Sequence, residues 1–327
     1  MEAKDFMPAD DTVAGIRKDL AAYETEREAA YRTLQRRIPI GFISLIVAVF
    51  VLAWFFNTFA DPFEQWVSTP HVFLYVGAFV AAFFVYFWAQ RPAAKVQQSF
   101  REKLLPIIFS FVQDMSYRQG ATPDSFDRMP REMVGAFNRQ TFDDVITGRY
   151  DGFPFELYEA SLRQKVNKSD NQVFKGVIVV FETMKPFPGV LVASRKAGQV
   201  TKFFRGLFGG VELQELQSGV AALDAAYDFR TDNLNAARPL VTGRLAQALQ
   251  WLKETWPDDH SRVALNGSDG FLLLPLTKNF FELPGISKPL DYKAHIEPMV
   301  ADLAALLATA SLVRKAGVAD DEPAQQP

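Results

Sequence analysis

The chain has no cysteine among its 327 residues, and it has only three histidines. The absence of cysteine excludes disulfides, thiolate nucleophiles and thiolate metal sites. His71, His260 and His295 lie far apart, and none has a second histidine three or four positions away. Because paired imidazoles on a helix need that spacing, the sequence predicts no metal site. We likewise expect no cofactor.

An excess of positive charge is missing as well. The chain has 35 lysines and arginines against 38 aspartates and glutamates, which gives a formal net charge of −3. Without a basic field, binding to nucleic acid is not expected. No serine lies in a Gly-x-Ser-x-Gly turn, and the glycine-rich stretch 205–210 is not followed by Gly-Lys-Ser or Gly-Lys-Thr. The sequence therefore names no catalytic residue and no phosphate-binding loop.

Two long uncharged apolar runs are the strongest feature of the sequence. Residues 38–56 read IPIGFISLIVAVFVLAWFF, and residues 71–89 read HVFLYVGAFVAAFFVYFWA. At 1.5 Å per residue, a helix of either length spans about 30 Å, the thickness of the hydrocarbon core of a bilayer. Neither run has the polar stripe of a surface helix in a globular protein. We therefore predict two transmembrane helices over residues 38–89.

The cations that flank these runs predict the orientation of the spans. The flanking cations are Arg27, Arg32, Arg36 and Arg37 before the first run, and Arg91, Lys95, Arg101 and Lys103 after the second. The connecting residues 57–70 contain no lysine or arginine but do contain Asp61 and Glu64. Because cytoplasmic flanks retain lysine and arginine while short translocated loops are depleted of them, we expect an antiparallel hairpin with both ends in the cytoplasm.

Helical patterns flank the two spans. Residues 1–37 form a cytoplasmic segment in which apolar residues recur at three- and four-residue steps, as in an amphipathic helix. Its apolar stripe leaves two alternatives open, a coiled coil with a partner and packing on the protein's own domain. Residues 90–141 are predicted to be a helical stalk and connector, bent at Pro106 because proline removes a backbone hydrogen bond.

From residue 142 the pattern changes to that of strands. The first two predicted strands form a hairpin around Asp151 and Gly152. Phe187–Gly189 is predicted to turn a third strand back into a fourth, and the glycine-containing stretch 267–270 to turn a later pair. Helices are expected over 242–256 and 292–315.

The predicted fold class is therefore α+β. The transmembrane hairpin is followed by a cytoplasmic domain over residues 142–317, in which an antiparallel β-sheet packs with helices. The polar, proline-containing segment 318–327 is expected to be a disordered tail.

An ordered series of motifs in the C-terminal part resembles a known family. The motifs are GRYDGFPFELYEASL at 148–162, VFKG at 173–176, KPFPG at 185–189, YDFRTDNLNAARPLVT at 227–242 and NFFELP at 279–284. They resemble a family of bacterial membrane proteins, domain of unknown function 3137, over roughly residues 95–317. The chain departs from the family at Asn235, which is more often acidic, and at Gly243, which is more often proline. The resemblance implies a membrane-tethered domain of similar fold and implies no activity or cofactor.

Two groups of residues are candidate contact sites. One stretch interleaves cations with apolar side chains, which suits contact with a membrane interface, although covering an edge of the sheet is the favoured alternative. It comprises Lys202, Phe203, Phe204, Arg205, Leu207 and Phe208. Arg230, Asp232 and Arg238 are predicted to form an ion-pair network or a binding surface. Glu156 and Glu159 lie on one predicted strand but point to opposite faces, which argues against a paired-carboxylate mechanism.

These observations favour a non-enzymatic binding or scaffolding protein, tethered at the cytoplasmic face of the bacterial inner membrane. Its expected partners are the lipid bilayer and an unidentified membrane or cytoplasmic protein. The alternative is a membrane-anchored hydrolase whose carboxylates converge only in three dimensions.

Overall fold

The computed structural model describes residues 10–59, 69–167, 169–196, 213–257, 260–277, 279–281 and 283–318. These residues fall into two compact units. A mainly helical unit is built from residues 10–108 and 283–295, and a sheet unit is built from residues 109–281 and 296–318.

Two long helices form most of the helical unit. The predicted N-terminal helix and first span are one continuous helix, α1 (Asp10–Phe59), and the second span lies within α2 (Thr69–Ser99). A π-helical turn (Phe100–Leu104) and a short helix α3 (Leu105–Ile108) follow. The irregular turn lies just before Pro106, whose missing N–H interrupts the α-helical hydrogen-bond pattern; the bend at Pro106 stays a prediction.

Contacts at three levels show that α1 and α2 pack against each other in opposite directions. The Arg37 guanidinium carbon lies 4.7 Å from the centre of the Trp88 ring. Further along α1, Gly41 faces Val85, and a Cβ placed on Gly41 would be 2.6 Å from a Val85 methyl carbon. At the far end the Phe56 and His71 rings are 6.0 Å apart. Gly41 therefore permits an approach of the two helices that a larger side chain would obstruct.

The N-terminal part of α1 packs on its own chain. The Arg27 Nη1 donates to the carbonyl oxygen of Ile286 at 2.6 Å, and the Glu24 Oε1 accepts the N–H of Leu290 at 2.7 Å. The Tyr23 ring lies edge-on to Phe100 with 5.2 Å between centroids. Of the two alternatives for the apolar stripe, the structure therefore shows contacts within the same chain.

The described residues of the second unit form a seven-stranded antiparallel sheet with helices. Its strands are β1 (Gln113–Gln119), β2 (Arg139–Tyr150), β3 (Phe153–Val166), β4 (Ser169–Arg195), β5 (Gln214–Leu216), β6 (Tyr227–Thr231) and β7 (Arg262–Pro275). Its helices are α4 (Ala221–Ala226), α5 (Leu234–Ala237), α6 (Arg244–Thr255) and α7 (Glu297–Arg314). Strand order is β1-β2-β3-β4-β6-β5, and β7 pairs with β4. The α+β prediction is confirmed.

The predicted helical connector over residues 90–141 is wrong in its second half. Helix α3 ends at Ile108, β1 occupies residues 113–119, and two single 3₁₀ turns lie at Phe126–Arg128 and Arg131–Met133. Strand β1 is an edge strand whose side chains are mostly exposed. It therefore lacks the apolar alternation by which a strand is recognised in a sequence.

The two predicted hairpins within 173–195 and 262–275 are wrong as well. Each pair of strands is one long strand, β4 or β7, and the two run side by side. Between the paired residues Glu182–Asp269 and Val190–Asn266, seven residues of β4 oppose two of β7. The proline- and glycine-rich stretch of β4 is therefore a large bulge that leaves the strand direction unchanged.

The core lies on both faces of the centre of the sheet. Residues 177–181 of β4 are all buried, as a central strand requires. One face packs on a cluster that includes Phe126, Met133, Tyr158 and Phe271. Helix α7 contacts β4 and β7 and is itself buried along most of its length.

Candidate functional site

The apolar runs of α1 and α2 present large hydrophobic side chains outward. Their rings and aliphatic groups are strongly exposed, including Phe50 at 65%, Trp54 at 67%, Phe73 at 71% and Phe84 at 69%. Three described helices are long and apolar enough to span a membrane, but they differ in burial. In the apolar 18-residue stretch of α1 and in that of α2, only 6% is buried. In the corresponding stretch of the segment Tyr292–Arg314, which contains α7, 67% is buried. Two helices could therefore span a membrane, while the third belongs to the core of the sheet unit.

A group of three carboxylates forms a second candidate site, which we call the carboxylate cluster: Asp143, Asp144 and Glu159. One oxygen from each lies within 4.8 Å of the others. The strand pairing explains this convergence. The register passes from Phe142–Ala160 to Val145–Tyr158, so Asp143 and Asp144 of β2 together oppose Glu159 of β3. Two consecutive residues reach one partner because the strand bulges there.

Neighbouring donors surround the carboxylate cluster. The Tyr117 hydroxyl donates to the Asp144 carboxylate, and the Asn279 amide donates to Asp143 at 2.8 Å. The backbone N–H groups of Phe280 and Phe281 donate to the Glu159 Oε1 at 2.7 and 3.1 Å. The cluster thus ties the segment around residue 280 to β2 and β3.

The pKa of Glu159 is raised to about 7, mainly by burial and also by the nearby charges of Asp144 and Asp143. The N–H groups of Phe281 and Phe280 oppose that shift by favouring the carboxylate form. A glutamate in this state exchanges a proton near neutral pH.

The chemistry available to the carboxylate cluster follows from its oxygens. Three carboxylates in this arrangement can share a proton or contribute ligands to a hard cation such as Ca²⁺ or Mg²⁺. Access is limited, because Asp144 is fully buried and Glu159 is only 9% exposed. The geometry therefore fits a structural role in the fold better than it fits binding of a large substrate.

Glu156 lies in a different environment from Glu159, in agreement with the prediction that the two side chains point to opposite faces of the strand. Its carboxylate accepts hydrogen bonds from the Ser125 N–H at 2.8 Å, the Ser125 hydroxyl at 2.6 Å and the Asp124 N–H at 3.1 Å. Arg118 lies 3.4 Å from the same carboxylate. Glu156 therefore anchors the 3₁₀ segment to β3.

The predicted group of Arg230, Asp232 and Arg238 lies at β6 and α5. Asp232 accepts the backbone N–H of Val190 at 2.7 Å, next to Gly189. In the described part of the chain, no ion pair joins any two of the three residues. Asp232 instead holds the end of the β4 bulge, and a binding surface formed by the two arginines stays a prediction.

Other predicted residues lie elsewhere. Lys202, Phe203, Phe204, Arg205, Leu207 and Phe208 all fall outside the described residues, as does most of the predicted tail 318–327. His260 is exposed, and His295 lies near the start of α7 with its ring nitrogen bonded to the Asp291 backbone. Of the residues that the sequence analysis named, only Glu159 belongs to the carboxylate cluster. The adjacent pair Asp143–Asp144 inside a predicted strand was the signal that could have pointed to the cluster.

Comparisons with known proteins match the C-terminal part of the chain. A family model described as "Protein of unknown function (DUF3137)" matches residues 172–314. The family resemblance is confirmed over this segment. The DUF3137 match extends from the start of β4 to the end of α7, so it is shorter than the predicted 95–317 and leaves out the motif at 148–162. The family description names no activity.

No curated protein matches the chain. Among solved structures, the crystal structure of the mycobacterial trehalose monomycolate transport factor A, TtfA, is similar at 14% identity, covering 60% of this chain and 88% of that chain with a TM-score of 0.33. A TM-score this low supports no inference about the function of the present chain.

Proposed function

We propose that this protein is a membrane-tethered binding or scaffolding module of the bacterial inner membrane. In this proposal α1 and α2 cross the bilayer as an antiparallel hairpin, and both termini and the sheet unit are cytoplasmic. Its partners are the lipid bilayer and a membrane or cytoplasmic protein that the sheet unit recognises. Nucleic acid is not among them.

The exposed apolar surface of α1 and α2 is the observation that supports this proposal. Outward side chains such as Phe79 and Trp54, each 67% exposed, present a large apolar area. Exposing that area to water costs free energy, and surrounding it with lipid removes this cost. Neither apolar run contains a charged residue. With no intramembrane charge, the helices are better suited to anchoring than to conducting ions or substrates.

Topology mapping tests the proposal directly, because the natural chain has no cysteine. Single variants Lys18→Cys, Asp61→Cys and Lys253→Cys are each exposed to a membrane-impermeant maleimide on intact spheroplasts and on lysed cells. We expect Asp61→Cys to react in intact spheroplasts, and the other two only after lysis. Labelling of Lys253→Cys from outside, or recovery of the protein in the soluble fraction after ultracentrifugation, would refute the tether.

The binding role is tested by purification in mild detergent. Co-elution of one membrane or cytoplasmic protein in fixed stoichiometry, lost when the sheet unit is altered at exposed positions, supports a scaffold. Recovery of the protein with lipid alone argues against a protein partner.

The alternative of a membrane-anchored hydrolase is favoured by one observation, the convergence of Asp143, Asp144 and Glu159. Because that cluster is buried, we rank the hydrolase below the binding module. A test is release of product from a panel of phosphate and carboxylate esters with Mg²⁺ or Mn²⁺ present. Turnover that disappears in Asp144→Asn and Glu159→Gln, with folding intact, would favour the hydrolase over the binding module.

A further inference from the structure

A group of cations lies at one end of the apolar surfaces of α1 and α2. These residues, which we call the juxtamembrane cations, are Arg36, Arg37, Arg91 and Lys95. Arg36, Arg91 and Lys95 are exposed, and Arg37 is partly buried with its guanidinium over the ring of Trp88. Because that contact aligns the two antiparallel helices, Arg36 and Arg91 lie within about one helical turn of the same level.

Acidic side chains do not offset these charges. Neither 29–39 nor 88–101 contains an aspartate or glutamate. The adjoining acids are engaged elsewhere, since Glu28 pairs with Arg32 at 3.1 Å and Glu102 accepts from Gln98 at 2.7 Å. Among the described residues, none of the juxtamembrane cations forms an ion pair. Their charge is therefore available to a ligand outside the chain.

The depth of the group indicates what that ligand is. Ile40, one turn from Arg36 along α1, is 61% exposed, and Trp88 is 43% exposed. An exposed tryptophan at the end of an apolar run is typical of the headgroup layer of a bilayer. Cations at that level meet lipid phosphates, while their aliphatic stems remain along the apolar surface.

We propose that the juxtamembrane cations bind the headgroups of anionic phospholipids, which makes this end of the helix pair selective for them over zwitterionic lipids. The inference rests on the proposed membrane tether. A zwitterionic headgroup also has a phosphate, but its own ammonium group offsets the charge, whereas an anionic headgroup such as phosphatidylglycerol retains a full negative charge.

Trp88 is a built-in reporter for this test. Full-length protein is reconstituted into bilayers that contain phosphatidylglycerol or phosphatidylcholine with bromine on the acyl chain near the headgroup, which quenches tryptophan fluorescence on contact. The contribution of Trp88 is isolated by subtracting the emission of the Trp88→Phe variant. The ratio of quenching by the two lipids gives their relative binding constant at this site.

The test variant is Arg36→Gln/Arg91→Gln/Lys95→Gln, which leaves the Arg37 contact with Trp88 in place. The matched control, Lys18→Gln/Lys288→Gln/Lys293→Gln, removes the same charge from exposed positions of the same unit. We expect the wild type and the control to favour phosphatidylglycerol by about tenfold or more, and the test variant to lose most of that preference.

Each other result overturns the inference. Equal quenching by the two lipids in the wild type, or a preference retained in the test variant, refutes selective headgroup binding while leaving the tether intact. Quenching by neither lipid, with the protein also extracted by alkaline carbonate, would show that the tether itself is wrong.

Discussion

The Glu159 carboxylate accepts the backbone N–H of Phe280 at 2.7 Å, although the two residues are 121 positions apart. This contact joins β3 to the segment that follows β7. It places an acid with a raised pKa beside that segment. The protonation state of one side chain is therefore linked to a contact that attaches this segment to β3.

Stability should fall as pH rises through the range in which Glu159 loses its proton. Its pKa in the folded protein is about 7, against 4.5 as the ordinary value. The folded state therefore holds the proton more tightly, so this contribution to stability is fully present below about pH 4.5 and lost by about pH 7. The full loss is about 3 kcal/mol. It is measured as the change in thermal midpoint of the detergent-solubilised protein between pH 4.5 and 8.

Glu159→Gln is the variant that isolates this effect. The amide oxygen still accepts the N–H groups of Phe280 and Phe281, and the amide cannot ionise. We expect the variant to match the wild type at low pH and to be more stable at pH 8. A wild type whose pH dependence equals that of the variant would contradict the role of Glu159.

Removing the Glu156 carboxylate should destabilise the sheet unit. Glu156→Ala leaves the buried N–H and hydroxyl of Ser125 without their acceptor, and Glu156→Gln replaces one carboxylate oxygen by a donor that faces other donors. Both variants should lower the free energy of unfolding by about 1–3 kcal/mol. Glu182→Gln, an exposed glutamate on β4, serves as control and should change it by less than about 0.5 kcal/mol. Urea unfolding measures all three, and an unchanged Glu156→Gln would refute the assignment.

Gly189 is required by the backbone of the β4 bulge. Its φ is 136°, and a Cβ there would lie 2.9 Å from the Asp232 carboxylate carbon. Gly189→Ala should therefore cost of order 1–3 kcal/mol. Asp232→Ala alone should cost about 1 kcal/mol, because it removes the acceptor of the Val190 N–H.

The double variant Gly189→Ala/Asp232→Ala separates steric conflict from backbone strain. Removing the carboxylate relieves the close contact but leaves φ positive, so rescue should be partial. Complete rescue in chemical denaturation would show that the carboxylate contact alone makes glycine necessary.

A disulfide between α1 and α2 should form at the level of Gly41. The Cβ of a residue at 41 would lie 3.9 Å from the Val85 Cβ, which is the usual separation in a disulfide. Gly41→Cys/Val85→Cys should therefore oxidise readily and shift mobility on non-reducing gels. Gly41→Cys/Phe84→Cys is the control, because Phe84 is 69% exposed. Equal cross-linking of both pairs, or cross-linking only between two chains, would contradict the paired helices.

Local patterns in the sequence determined the helices well. The two long uncharged runs identified the apolar parts of α1 and α2. The recurrence of apolar residues every three to four positions identified α6 and α7 within a few residues of their observed bounds. Composition could not show that α7 is buried in the sheet unit while the other two are exposed, because that depends on which elements surround each helix.

The sheet was predicted less accurately. Proline and glycine at 186–189 and 267–270 are the residues of turns, and read locally they predicted two hairpins. In the fold, the same residues lie opposite one another in two long strands, where the chain can bulge without reversing. Pairing over many residues outweighs the local preference for a turn.

The sequence by itself determined the class of the protein: uncharged apolar helices, cationic flanks, and an α+β segment that resembles the DUF3137 family. Only the tertiary structure decided which polar groups meet. Asp143, Asp144 and Glu159 come together because a bulge in β2 sets two residues against one of β3, and such a shift in strand register depends on contacts between residues distant in the chain.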